Sequence, residues 1–487
     1  MSRKERRKLA KIADKEGAKG KTQGGAGGQA GASLERLFGE QVAHFDAGRL
    51  KEAEAGLSEI LRRRPDVPEA LHLLALIELR TDRAEAAAGH LEKAIALLPG
   101  SADLHNLLGG ALKELRRLDD AMAAYRRAID INPGHVEAHV NLGAAFHDSC
   151  RLDEARESFR RALDIDPGYA AAHENLGMTL LLDGRLEEGW AEYAWRSGKD
   201  VFLSGGRVLD RPFWDGGTFD SQTLLLFAGQ GLGDTIQFLR YLPMAAKKGG
   251  EVIVQCPAPL IRLFEAAPAA KDIYLVTEIG DAPLDLQAPL HSLPGIFATT
   301  LDTIPADVPY LAAEDERVGD WRDRIGGNGF RVGINWQGDP TYRADRNRSV
   351  PLRFFEPLAK APGVRLISLQ KVNGLEQLET LPKGMTVETL GDDFDEGEDA
   401  FIDTSAVMML LDLIITSDTA IAYLAGALGA PVWTLLPWVP DWRWLLDRDD
   451  SPWYPTMRLF RQPAAGDWDA VFGEVGQALG RLAKGNP

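Results

Sequence analysis

Proline recurs at positions 65, 99, 133 and 167, and much of the first half of the chain keeps the same 34-residue interval. Ala87, Ala121 and Ala155 fall in this register, as do Leu91, Tyr125 and Phe159, then Ala94, Ala128 and Ala162. Gly109, Gly143 and Gly177 complete the pattern. Small residues let two helices approach closely, a large one fills the remaining gap, and proline ends each unit because it cannot continue a helix. A unit of this size cannot bury its apolar face alone, so the units must stack.

The pattern resembles the tetratricopeptide repeat. About five units fit within residues 32–200, with the first (Ala53, Leu57, Pro65) and last (Gly177, Tyr193) degenerate, as terminal caps are. The resemblance implies a curved helical array whose concave face binds an extended peptide or protein. His105, His139 and His173 also recur at 34 residues. Neighbouring helix axes lie roughly 8–10 Å apart, so three such histidines cannot converge on a zinc ion that needs ligands within about 2.1 Å; packing is expected instead. Asn141 and Asn175 each precede a Leu-Gly pair and resemble two rungs of the asparagine ladder with which O-linked N-acetylglucosamine transferases grip peptide backbone. Ordinary solvated positions are the other reading.

The remaining length, within 487 residues, leaves room for about two further domains. No apolar run approaches the roughly 18–20 residues of a membrane span, so no transmembrane segment is expected. The first 23 residues carry nine Lys/Arg against three Asp/Glu. Residues 1–31 therefore read as a disordered basic, glycine-rich tail. With the whole chain at −17, the body is more acidic still, which argues against nucleic acid as a partner. Cys150 and Cys256 make no disulfide framework, and together with the absence of a signal peptide they point to the cytoplasm.

After a linker at 201–222 the pattern changes to buried strands alternating with helices. TLLLFAG (223–229) precedes an amphipathic helix at 234–249 and the strand EVIVQC (251–256). A second set runs through RVGINW (331–336), VRLISLQ (364–370) and DLIITSD (412–418), then a helix at 419–429 and the strand PVWTLLP. This alternation predicts parallel βαβ units. The fold class expected is thus a helical repeat solenoid followed by an α/β region of two doubly wound, Rossmann-like lobes, the GT-B arrangement. Residues 223–325 form the first lobe and 326–487 the second, joined through the polar stretch 312–330. Ligands belong outside the carboxyl ends of the strands.

Several residues there can carry chemistry. In Gly229-Gln230-Gly231-Leu232-Gly233-Asp234, aspartate stands where a dinucleotide fingerprint needs its third glycine, which disfavours nicotinamide chemistry. Asp234 is either an N-cap or a catalytic base. Ser417, Asp418 and Thr419 open a helix whose N–H groups and dipole suit phosphate, or they simply cap it. Arg346 and Arg348 either fork a diphosphate or make surface salt bridges. Trp433, Trp438, Trp442, Trp444 and Trp453 line a cleft or fill a core. The acidic stretch 392–403 lacks calcium-loop spacing and reads as a solvated loop; no metal site is expected anywhere.

GQGLGDTIQFLRYLP, APLHSLPGIF, PADVPYL, RVGINWQGDPTYRADRNRS, ISLQ, SDTAIAYLAGALGAPVWTLLPWVPDWRW and SPWYPTMRLFRQ together resemble bacterial proteins that fuse tetratricopeptide repeats to a heptosyltransferase-like region. The resemblance implies a glycosyltransferase with the acceptor on the first lobe and a nucleotide sugar on the second. The nucleotide sugar would be a co-substrate, with no cofactor. Asp234 would be the catalytic base, and Arg348, Ser349, Asp418, Thr419 and Tyr423 would contact the donor near its phosphates. Gln230, Gly231, Gly233, Trp336 and Gln370, within the same segments, complete the candidate substrate-binding set with Arg346 and Ser417. The family has histidine where this chain has Tyr423, which donates a hydrogen bond but carries no charge near neutral pH. The repeats imply a protein acceptor, by analogy with O-linked N-acetylglucosamine and repeat-bearing flagellin glycosyltransferases. A non-catalytic scaffold with a degenerate α/β region is the alternative that Tyr423 motivates.

Overall fold

The computed structural model describes residues 27–197, 210–229, 231–280, 283–342 and 344–485. The chain divides into two compact units, Met1–Asn175 and Leu176–Pro487. Residues 1–26 of the expected basic tail lie outside the described residues, but Gly27 already starts a helix, so the tail reading to residue 31 was too long.

The first unit is built from antiparallel helix pairs: α1 (Gly27–Asp46) with α2 (Leu50–Arg63), α3 (Pro68–Arg80) with α4 (Ala84–Leu97), α5 (Ala102–Glu114) with α6 (Leu118–Ile131), and α7 (Val136–His147) with α8 (Leu152–Ile165). The register alanines 87, 94, 121, 128, 155 and 162 are wholly inaccessible, as are Leu91 and Phe159. The glycines explain the spacing. A Cβ on Gly109 would sit 2.5 Å from the Tyr125 ring, and one on Gly143 would sit 2.6 Å from Phe159. Each of these two rings occupies the place where its paired helix has no side chain.

A further 34-residue signal governs the turns. The first helix of each pair ends at a residue with positive φ: Gly48, Asp82, Arg116, Cys150 and, at the start of the second unit, Gly184. This left-handed step stops the helix and reverses the chain. Two of the five positions use glycine, which adopts it without steric cost.

The second unit begins within α9 (Ala170–Leu182), continues into α10 (Leu186–Tyr193), and holds two all-parallel sheets. The first contains β1 (Thr223–Phe227), β2 (Glu251–Gln255), β3 (Tyr274–Val276) and β4 (Leu286–Pro289), in the order β3-β2-β1-β4. The second contains β5 (Phe330–Asn335), β6 (Val364–Ser368), β7 (Leu413–Ser417), β8 (Val432–Leu436) and β9 (Met457–Arg461), in the order β6-β5-β7-β8-β9. β1, β7 and β8 are buried at every residue, which is why they read as unbroken apolar runs rather than alternating ones.

Three boundaries differ from the sequence reading. The helix expected at 234–249 is α11 (Leu232–Phe238), a 3-10 turn and a short helix Leu242–Ala246; Pro243, which lacks an N–H, cannot sustain one continuous helix. Part of the expected linker belongs to the first sheet. Phe213 bridges to Gln287, and Trp214 and Phe219 are buried. The expected connection 312–330 contains α12 (Asp315–Ile325), whose Trp321 indole donates to Asp403 at 2.8 Å. Asp403, the second residue of α13 (Ile402–Met408), exchanges hydrogen bonds with Asp395, so the acidic stretch, exposed at Asp392, Asp393, Glu396 and Glu398, is anchored at its end by a buried carboxylate. The chain closes with α15 (Trp468–Leu482), preceded by α14 (Ala420–Ala427); α15 packs Val471, Phe472, Val475 and Leu479 onto the second sheet.

Candidate functional site

Each sheet reverses its strand order at a central strand. β1 lies between β2 and β4, and β5 lies between β6 and β7. Loops leaving adjacent strands at such a reversal diverge, so a crevice opens at their carboxyl ends. The candidate residues follow these strands: Asp234 after β1, Arg348 after β5, and Asp418 with Tyr423 after β7.

Gly231, in extended conformation, is the N-cap of α11; Asp234 is the third helical residue, so its capping role is set aside. Gly233 serves close packing. A Cβ there would lie 2.9 Å from the Tyr423 ring and 3.3 Å from Cα of Ala420, so α11 and α14 meet backbone to backbone. A Cβ on Gly231 would meet nothing within 4 Å. Gln230 lies outside the described residues.

The Asp234 carboxylate accepts from Nη2 of Arg443 at 2.5 Å. The same guanidinium donates through Nη1 to Asp441 at 2.9 Å. Arg443 is 3% exposed and lies 4.4 Å over the Trp442 ring and 5.3 Å from that of Phe238. Asp234 keeps a quarter of its side chain in solvent. Burial still raises its pKa, Arg443 opposes that rise, Asp441 adds to it, and Arg196 and Arg348 oppose it further. Charges from the second sheet's loops and from the turn after α10 therefore act on a carboxylate that follows β1.

Tyr423 is buried and donates its hydroxyl to Asp418 Oδ1 at 3.3 Å. Burial pushes the phenol well above its ordinary pKa, so it is a neutral donor. Asp418 is pushed up to about 6, first by burial and then by Asp441, with Arg348 opposing. Arg348 is only partly exposed and donates from Nε to Asp345 at 3.1 Å. Ser349 donates to the other Asp345 oxygen at 2.6 Å and accepts from the Gly338 N–H at 3.0 Å, which fastens the loop after β5. Arg346 is exposed on the same helical turn. Residues two apart on a helix do not face each other, so the two arginines do not form a joint fork.

The structure moves other sequence candidates into supporting roles. Trp336 is fully buried with its indole N–H on the Gly374 carbonyl, leaving no face for a ligand. Gln370 Oε1 accepts from Asn335 Nδ2 and from the backbone N–H groups of Trp336 and Gln337. Its carboxamide is consumed in shaping the loop. Thr419 is the N-cap residue of α14, but its hydroxyl donates to Asn335 Oδ1 at 2.8 Å rather than capping. Ser417 is fully inaccessible with an unpartnered hydroxyl, so it lies inside the strand layer rather than on a crevice wall. Trp433, Trp442, Trp444 and Trp453 are core, while Trp438 is exposed.

Asp441, Arg443 and Asn335 were missed in the sequence. The sign that pointed to the first two is Asp-Trp-Arg-Trp at 441–444, where charges sit in an otherwise apolar aromatic segment; a buried polar group is the informative exception. Also missed were contributions from the end of α10. Trp190 meets the edge of Trp442 at 5.3 Å, and Arg196 donates to the Tyr193 hydroxyl at 2.9 Å. His291, after β4, is pushed down to about 3 by burial and then by Arg196 and Arg443, so it is neutral at physiological pH.

In the first unit, His105, His139 and His173 each bond the proline carbonyl six residues earlier, at 3.3, 3.0 and 2.9 Å. Asn141 donates to Asn106 Oδ1 at 2.9 Å, and Asn175 donates to the Ala171 carbonyl at 2.6 Å within its own helix. The pair that spans neighbouring repeats is thus 106 with 141. A cavity of about 980 Å³ is lined by Leu76, Leu97, Asn106, Leu107, Glu137 and Tyr169 among others; Asn141 and Asn175 are not among its walls. Among the described residues no cluster of histidine, cysteine and acidic side chains is arranged to hold a metal ion, and no helix is long and apolar enough to cross a membrane.

Residues 42–102, 106–170 and 151–194 match the tetratricopeptide repeat. The helical region is a tetratricopeptide solenoid. Protein FlbA of Caulobacter vibrioides is 26% identical over 328 residues, which is 62% of this chain and 53% of that protein. The chain thus spans about half the length of this curated relative. The aligned stretch is longer than the whole repeat region, so the likeness extends into the α/β part. Among solved structures, MamA is 22% identical, covering 32% of this chain and 92% of that one at a TM-score of 0.31. YrrB, a TPR protein with an unusual peptide-binding site, is 22% identical with 32% and 83% covered at 0.29. A thermophilic TPR protein of Thermus thermophilus is 22% identical with 34% and 93% covered at 0.31.

Proposed function

We propose that the second unit is a GT-B glycosyltransferase that moves a sugar from a nucleotide-sugar donor to an acceptor, and that the repeats recruit this acceptor as a protein. The observation that carries the reading is the convergence of Asp234 from the first sheet with Arg348, Asp418 and Tyr423 from the second, at the strand ends where both sheets reverse order. A sugar donor needs cationic and N–H donors for its diphosphate, and an acceptor hydroxyl needs a base. Arg348 and the first turn of α14 supply the former, and Asp234 supplies the latter.

In this mechanism the acceptor oxygen attacks the anomeric carbon and its proton passes to Asp234. The bond from that carbon to the diphosphate oxygen breaks, and the diphosphate leaves toward Arg348. Tyr423 takes the place of the family's histidine as a neutral hydrogen-bond donor. Asp234→Asn is expected to lower transfer by about two to four orders of magnitude while preserving the rise in melting temperature that the donor produces. Unchanged transfer would remove Asp234 from the chemistry.

A second reading is favoured by two features. Asp234 is already ion-paired and Tyr423 lacks a charge, as expected of a scaffold that no longer transfers sugar. Tyr423→His discriminates: a large gain in sugar-nucleotide binding supports decay from an enzyme, whereas unchanged binding together with measurable transfer in the unmodified protein supports the catalytic reading.

A further inference from the structure

The Asp234–Arg443 pair joins residues 209 positions apart, one following the first strand of the first sheet and one following the fourth strand of the second. The guanidinium is held by aromatic rings on two sides, by Asp441 at one terminal nitrogen and by Asp234 at the other. Its Nε is buried without a hydrogen-bond partner. An orphan donor of this kind is unfavourable, so the side chain is kept in place by what its other two nitrogens do.

We propose that Arg443 is a positioning residue for Asp234: its guanidinium fixes one carboxylate oxygen of the base through a direct contact between the segment after β1 and the turn after β8. This deepens the transferase reading and rests on it for the word base, but the coupling itself is independent of sugar chemistry. The groups that face Asp234 are Arg443 and Asp441 from the 441–444 turn, Arg348 from the loop after β5, Tyr423 from α14, and Tyr193 and Arg196 from the end of α10. Burial favours the neutral acid, and Arg443 is the largest opposing influence. Asp441 acts in the opposite sense, because it is a second negative charge beside the first.

The test is the titration of Asp234 in the full chain, read by carbon NMR of labelled aspartate carboxyls, with Asp234→Asn identifying the resonance. Arg443→Gln is expected to raise the midpoint by about 1–3 pH units, and Arg443→Lys to bring most of that shift back. Asp441→Asn is expected to lower the midpoint; asparagine retains the side-chain oxygen that accepts from the Arg443 N–H, so this variant should keep its fold. An unmoved midpoint in folded Arg443→Gln overturns the proposal. If that variant does not fold, an unmoved or raised midpoint in Asp441→Asn overturns it equally. Separately, failure of UDP-, GDP-, ADP- and CMP-sugars to raise the melting temperature of the unmodified protein would count against the transferase reading and leave the titration result standing.

Discussion

The two units solve the packing problem in opposite ways. The solenoid repeats one solution: an alanine, a large side chain and a glycine recur in register, and Gly109 and Gly143 leave the space that the rings of Tyr125 and Phe159 fill. The α/β unit uses each arrangement once. Asn335 accepts from Thr419 and donates to Gln370, and the Arg443 guanidinium lies between Asp234 and Asp441; among the described residues neither arrangement recurs at a fixed interval. Repetition makes a position's role readable by comparison within the chain, whereas a single-copy site offers only its residue types.

The largest expected effect tests whether the repeats are truly interchangeable. Phe159→Ala should cost about 3–5 kcal/mol in urea unfolding, since the ring is wholly inaccessible. Tyr125→Phe, which makes one repeat like the next, should change stability far less. A comparable loss from both would mean that the register positions are not equivalent and would break the comparison.

On the single-copy side, Asp418 supplies the contrast. Its pKa, held near 6 mainly by burial, is above the ordinary carboxylate value. A raised acid pKa in the folded state destabilises the protein above that value, and the penalty disappears once pH falls below the unfolded one. Asp418→Asn should therefore raise stability at pH 7.5, on the order of 2–3 kcal/mol, with the gain fading as pH drops through 6 toward 4. Melting curves across that range check it. A gain that grows with acid would show that burial does not dominate there. Gly143→Ala follows in size, costing about 1–3 kcal/mol as the new methyl presses on the Phe159 ring.

What the sequence disclosed follows the same division. Proline, alanine and ring spacing identified the solenoid because one 34-residue interval satisfied many positions at once. Buried parallel strands declared themselves as apolar runs, but β3, β4 and β9 did not. β3 is a partly exposed edge, β4 ends in Pro289, and β9 carries arginines at 458 and 461. In the site, Asp234, Arg348 and Asp418 were legible as charges beside strand ends. Arg443 was not: the charges within the aromatic segment 441–444 mark it as unusual, but nothing local names a partner 209 positions away. Gln370 and Trp336 illustrate a related point: a polar or aromatic side chain after a strand serves loop shape as readily as ligand, and only its partners decide.

The smallest expected effect sharpens the comparison most, because it asks whether repetition alone predicts a stabilising change. The turn position of each repeat has positive φ, yet three of the five carry Asp82, Arg116 and Cys150 rather than glycine. A side chain in this region costs roughly 1–2 kcal/mol, offset in part by the greater freedom that glycine has when unfolded. Arg116 is exposed, so its replacement disturbs no core packing. Arg116→Gly should raise stability by up to about 1 kcal/mol, read as a higher urea midpoint with an unchanged slope. Glycine at a turn outside the 34-residue register, where φ is negative, should do the reverse. Equal effects at both would show that the periodic backbone step, rather than being a property of the fold, is tolerated wherever the chain bends.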